Sequence, residues 1–223
     1  MSDIACHCGR RGALLARQDG TLVRWHECRT HLDKERVAGY NYTDSTCPPA
    51  MPDVFKDTDC TRLHQKIQDA LGWKPEADVN GLLFHGTTGV GKTRGIWEII
   101  RRLWTEEAKK DRQLDYHFLT MRKLEGMIEK SFDERNHAKM IDSLIECKVL
   151  VLDDFGKERL TSRMASDLFS IIDERTTARR ITIISTNFNG TAILERFENR
   201  DKETGVALIR RFKDYFTIVG IGS

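Results

Sequence analysis

The run Gly86-Thr87-Thr88-Gly89-Val90-Gly91-Lys92-Thr93 constrains this chain more than any other feature. It fits the spacing G-x-x-x-x-G-K-[ST], and its flanks have the character that spacing needs. Before it, Gly81-Leu82-Leu83-Phe84-His85 is a short apolar run suited to a strand. After it, Ile96, Trp97, Ile99, Ile100, Leu103 and Trp104 recur at helical spacing. A strand, a glycine-rich turn and a helix wrap successive backbone N–H groups around an anion, at the positive end of the helix. Lys92 then reaches the terminal phosphates of a nucleoside triphosphate, and the Thr93 hydroxyl suits Mg²⁺.

Downstream, strand-like and helix-like segments alternate. Strands are predicted over 114–120, 149–152, 181–185 and 215–219, and helices over 121–130, 138–145, 164–176 and 191–197. Val149-Leu150-Val151-Leu152 is continuously apolar, as a strand covered on both faces requires. The alternation predicts an α/β fold with a parallel sheet and helices on both faces. Ligands in such folds sit at the carboxyl ends of strands, where Asp153 and Asp154 follow Leu152. Asp153 is read as the Mg²⁺ carboxylate, acting through water, and Asp154 as the group that orients and deprotonates an attacking water.

These residues resemble the AAA+ ATPases, more narrowly the DnaC/IstB-like group, over about residues 48–223. The resemblance rests on GTTGVGKT, on VLVLDDFG with its paired aspartates, on LFSIIDERTTARRITIISTNFN and on ALIRRF. PPAMPDVFKDTD looks like the group's lead-in to the ATPase domain. The resemblance implies a P-loop NTPase three-layer sandwich with a five-stranded parallel sheet and no C-terminal lid; no second phosphate sensor is named. It implies ATP and Mg²⁺ as cofactors and ATP hydrolysis as the activity. Asn187 takes the sensor 1 position, where an amide polarises the attacking water. Arg211, with Arg210 as the alternative, becomes the arginine finger that reaches a neighbouring subunit's γ-phosphate. Arg175 is a second residue expected at the contact between subunits.

The same resemblance implies self-assembly into a ring or spiral and a grip on single-stranded DNA. The segment 121–145 occupies the place of the group's DNA-lining insert, and it carries Arg122, Lys123, Lys130, Arg135, His137 and Lys139 among interleaved acids. The implied partner is a replicative DNA helicase, and the implied role is helicase loading of the DnaC type. An IstB-type transposition helper shares the ATPase motifs and stands as the alternative. A small P-loop kinase is more remote, because Asp153-Asp154 with Asn187 and Arg210-Arg211 suits a water-activating ATPase better.

Three of the four prolines cluster at Pro48, Pro49 and Pro52 and read as an extended linker. The domain reading is a Cys/His-rich head over 1–47, a linker and lead-in helix over 48–76, and the ATPase domain over 77–223. In the head, Cys6-His7-Cys8 and Cys28-Arg29-Thr30-His31 form two ligand pairs. Cys6, Cys8, Cys28 and His31 make a Cys₃His set, typical of a structural zinc site, with His7, His26 and Cys47 in reserve. The head has few large apolar residues, and a metal would supply folding free energy that its core lacks.

Lys and Arg total 36 against 34 acids, a formal charge of +2, so nucleic acid would have to bind a local basic strip. No run of about 18 apolar residues and no signal-peptide core is present, which points to a cytoplasmic protein with no membrane contact.

Overall fold

The computed structural model describes residues 47–48, 50–76, 78–110, 112–157, 161–198 and 202–222. The zinc set Cys6, Cys8, Cys28 and His31 lies outside the described residues, as do His7 and His26. Two compact units are distinguished among them: residues 47–58 with 97–114, and residues 59–96 with 115–222.

The larger unit contains a five-stranded, wholly parallel sheet. Its strands are β1 (Gly81–Gly86), β2 (Tyr116–Thr120), β3 (Val149–Phe155), β4 (Ile181–Thr186) and β5 (Phe216–Ile221), in spatial order β2-β3-β4-β1-β5. The helices in chain order are α1 (Asp53–Lys56), α2 (Gln65–Ala70), α3 (Lys92–Ala108), α4 (Met121–Asp133), α5 (His137–Glu146), α6 (Ser162–Thr177), α7 (Gly190–Glu198) and α8 (Lys202–Tyr215). A short 3₁₀ turn, Cys60–Arg62, precedes α2. The five expected strands are all present. The alternation of apolar runs with amphipathic segments located them because buried parallel strands and one-faced helices have different periods.

β1 pairs with β4 on one side and β5 on the other, so the strand leading into the glycine-rich loop sits inside the sheet. Leu82, Leu83 and Phe84 are all buried although successive side chains point to opposite faces. The main core of this unit gathers Leu119, Leu124, Leu150, Leu152, Phe155, Leu168, Ile171, Ile172, Ile184 and Phe212 among others. Fully burying each such side chain contributes roughly 1.5–3 kcal/mol against conformational entropy.

Three boundaries differ from the sequence reading for local reasons. β3 runs on through Asp153 and Asp154 to Phe155, because Phe155 re-enters the ladder opposite Thr186 after an irregularity. β5 is shifted to Phe216–Ile221 because α8, which apolar spacing alone did not locate, continues to Tyr215. α6 starts at Ser162 rather than at 164 because Thr161 accepts from the backbone N–H of Met164.

Arg175 corrects an expectation. The family resemblance places it at a contact between subunits, yet it is 0% exposed and spends its guanidinium inside its own chain. It donates to the carbonyls of Leu144 (2.7 Å), Ile145 (2.9 Å) and Cys147 (2.9 Å), to the Ile181 carbonyl and to Thr182 Oγ1 (3.0 Å). Burial lowers its pKa to about 10, only partly opposed by Cys147 and the Asp115 charge.

In the smaller unit, Arg101 closes α1 against α3. It donates to the carbonyls of Phe55 (3.3 Å) and Lys56 (2.6 Å), and Phe55 stacks on Trp97 with centroids 6.3 Å apart.

Candidate functional site

The phosphate loop leaves β1 at Gly86 and enters α3 at Lys92. Gly89 and Gly91 have φ of 87° and 95°, the left-handed region that glycine adopts without a Cβ penalty. A Cβ on Gly91 would also stand 3.1 Å from Leu63. Glycines therefore permit both the turn and the close approach.

Lys92 is buried, and its ammonium has three acceptors within the chain. It donates to the carbonyls of Gly86 (2.7 Å) and Thr87 (2.9 Å) and to Asn187 Oδ1 (2.8 Å). Burial lowers its pKa, while the charges of Asp154 and Asp153 oppose that shift. Asn187, 95 residues away in sequence, thus stands beside the loop because β4 lies next to β1.

Thr93 Oγ1 lies 3.2 Å and 3.1 Å from the two oxygens of Asp153. Asp153 is only 5% exposed. Burial pushes its carboxyl upward, opposed by hydrogen bonds from Ser185 and Thr93. Among the described residues it has no ion-pair partner, and its side-chain hydrogen bonds come from the hydroxyls of Thr93 and Ser185. A buried carboxylate beside a threonine hydroxyl, with oxygen donors only, fits a hard cation such as Mg²⁺. Among the described residues, no cluster of three or more His, Cys, Asp or Glu that could hold a metal ion occurs.

Asp154 adopts φ of 59° within β3. Its carboxylate is half-buried and faces Lys157 Nζ at 3.3 Å. The structure therefore brings Gly86, Thr87, Lys92, Thr93, Asp153, Asp154 and Asn187 to one end of the sheet, with Thr88, Gly89, Val90 and Gly91 completing the loop. Arg210 and Arg211 have other partners on α8. Arg211 pairs with Asp173 of α6, and Arg210 lies 3.5 Å from Asp214 with its side chain 80% exposed. Both border a depression of about 480 Å³ shared with Phe169, Val206 and Ala207.

Two contributors escaped the sequence reading. Ser185 binds both acids of β3, and Lys157 pairs with Asp154. Ser185 carried a signal: it is a hydroxyl following the apolar residues Ile183 and Ile184, at the end of a strand whose neighbour carries the acids. In the basic segment, Arg122, Lys123, Lys130, Arg135 and Lys139 are exposed as expected. His137 differs, being tied to Ser131 Oγ (3.0 Å) and Asp167 Oδ1 (3.3 Å) and stacked on Phe132. Among the described residues, no helix is long and apolar enough to cross a membrane.

No protein-family model and no curated protein matches the chain. Solved structures do match its fold. A crystal structure of the DnaC helicase loader aligns with a TM-score of 0.58 and 24% identity, over 77% of this chain and 100% of that one. DnaI aligns with a TM-score of 0.58 and 19% identity, over 80% and 93%. Domain III of the replication initiation protein DnaA from Thermotoga maritima aligns with a TM-score of 0.54 and 16% identity, over 71% and 60%. The chain has the P-loop NTPase fold of these proteins, an α/β sandwich on a five-stranded parallel sheet.

Proposed function

We propose that this chain is an ATP-binding and ATP-hydrolysing AAA+ protein of DNA replication, one that loads or remodels a replicative helicase on single-stranded DNA. The observation that carries the ATPase reading is the convergence of Lys92, Thr93, Asp153, Asp154 and Asn187 at the carboxyl end of one parallel sheet. The helicase reading draws on the fold likeness to the DnaC helicase loader, together with the motifs shared with that group.

In this reading residues 86–93 cradle the phosphates, with Lys92 on the terminal ones. Thr93 and Asp153 hold Mg²⁺, which supplies charge neutralisation at the phosphate oxygens. Asp154 accepts a proton from water as the water oxygen bonds to the γ-phosphorus, and ADP leaves with the electrons of the broken P–O bond. Asn187 orients that water. Arg211 or Arg210 acts on a neighbouring copy in a ring or spiral; Arg210 is the more exposed, while Arg211 is held by Asp173. Single-stranded DNA lies along the exposed cations of α4, α5 and the turn between them. The head over 1–47 binds structural zinc through Cys6, Cys8, Cys28 and His31 and serves docking or DNA binding, with 48–76 as linker and lead-in to the ATPase domain over 77–223. The protein acts in the cytoplasm.

The test measures phosphate release at several chain concentrations, with and without single-stranded DNA, alongside capture of a hexameric replicative helicase. Turnover per chain is expected to rise with chain concentration and with DNA, and Asp154→Asn is expected to abolish it. Equal rates for wild type and Asp154→Asn exclude the assigned base. Absence of any helicase association excludes the loading role.

A further inference from the structure

We propose that Ser185 is a positioning residue of the phosphate site, fixing both acids of β3 through one buried hydroxyl; this rests on the ATPase reading above. Ser185 sits in β4 and is 1% exposed. Its hydroxyl donates to Asp153 Oδ1 and accepts from the backbone N–H of Asp154 at 3.0 Å. A serine hydroxyl has one proton and free lone pairs, so both bonds form at once.

The position matters because the β3–β4 ladder is interrupted there. Leu152 pairs with Ile184 and Phe155 with Thr186, leaving two β3 residues opposite the single residue Ser185. That is a β-bulge, and a bulge leaves backbone groups without ladder partners. The Asp154 N–H is satisfied by the Ser185 side chain instead. Asp154 also holds φ of 59°, in the left-handed region that L-residues seldom adopt. Thr186 completes the frame on the far side, donating to the Phe155 carbonyl at 2.7 Å.

Side chains alternate between sheet faces with period two, so relaxation of the bulge toward a regular ladder turns the Asp154 side chain away. Loss of the Ser185 donor also leaves Thr93 as the one hydroxyl orienting the Asp153 carboxylate among the described residues. One hydroxyl therefore sets the spacing between the carboxylate assigned to Mg²⁺ and the carboxylate assigned to water. Substitutions at residues that orient metal ligands typically cost about 10- to 100-fold in metal affinity or activity.

The test compares wild type, Ser185→Ala and Ser185→Cys in the full chain. It measures binding of a fluorescent ATP analogue without metal and across a MgCl₂ titration, with melting midpoints recorded alongside. Ser185→Ala is expected to keep metal-free binding within about 2-fold of wild type while the Mg²⁺ concentration for half-maximal tightening rises about 10-fold or more. Ser185→Cys keeps nearly the side-chain volume but offers only a weak donor, so it should behave alike and covers a failure of the alanine variant to fold. An unchanged Mg²⁺ response in either folded variant overturns the inference, as does an equal loss of metal-free and Mg²⁺-dependent binding. A wild-type chain that neither binds the analogue nor releases phosphate overturns the ATPase reading and this inference together. A wild type that does both, with variants that respond normally to Mg²⁺, overturns this inference alone.

Discussion

Asp153 is a carboxylate placed where folding alone would not put one. Burial raises its pKa, so the folded chain holds the carboxyl proton more tightly than the unfolded chain does. Its contribution therefore favours folding at low pH and is lost as pH rises from the unfolded carboxylate range through the raised folded value. At neutral pH the ionised group is a cost to stability, partly offset by Ser185 and Thr93. Asp153→Asn mimics the protonated form and can still bond both hydroxyls. Without nucleotide or Mg²⁺, Asp153→Asn is expected to raise the unfolding free energy by about 1 kcal/mol while removing ATPase activity. Chemical denaturation alongside phosphate release checks this; a variant less stable than wild type would contradict it. The same opposition explains what sequence could and could not reveal at this scale. Lys92, Asp153 and Asp154 were legible because local spacing on a known kind of turn and strand end identifies them. Ser185 and Lys157 act through cross-strand and turn contacts that no spacing encodes.

Elements were legible in proportion to how one-sided or wholly apolar they are. The run 149–152 announced a strand, and Leu168, Ile171 and Ile172 announced α6. α8 was less visible because its sequence mixes charged residues with only two fully buried apolar anchors, Leu208 and Phe212. A glycine at position 205 further weakens its helical character in isolation. The structure gives that glycine its reason: a Cβ there would stand 2.5 Å from Phe197 Cβ of α7. Gly205→Ala gains helix propensity yet overpacks this crossing, for a net loss of about 1–2 kcal/mol. Thermal unfolding tests it, and a stabilised variant would show that α7 and α8 can separate without cost. The hairpin of α4 and α5 supports a second prediction. Replacing Arg122, Lys123 and Lys139 by alanine should flatten the dependence of log affinity for single-stranded DNA on log salt by about 0.7 per residue. An unchanged slope would move the DNA path elsewhere.

For the molecule as a whole, strand order does most to assemble the site. β1 lies beside β4, and β4 beside β3, so the loop, Asn187, Ser185 and the paired acids come from three adjacent strands. Sequence order places these far apart; the parallel α/β pattern anticipated the meeting of the loop with the paired acids, the family resemblance supplied Asn187, and neither pointed to Ser185. The pattern could not anticipate Arg175, whose acceptors lie at the end of α5, in the turn to β3 and at the start of β4. That arrangement has a kinetic consequence. A guanidinium loses water favourably only when its replacements are in place, and these belong to segments that must already have docked. Its stabilisation is therefore expected to arrive late in folding, after the main barrier. Arg175→Met is expected to accelerate unfolding by roughly 10-fold or more while barely changing the refolding rate. Stopped-flow unfolding and refolding in urea separate the two limbs, and a variant slowed mainly in refolding would place Arg175 in the nucleus instead. A faster-unfolding variant would make Arg175 a latch on the finished fold, one that sets how long the assembled phosphate site lasts.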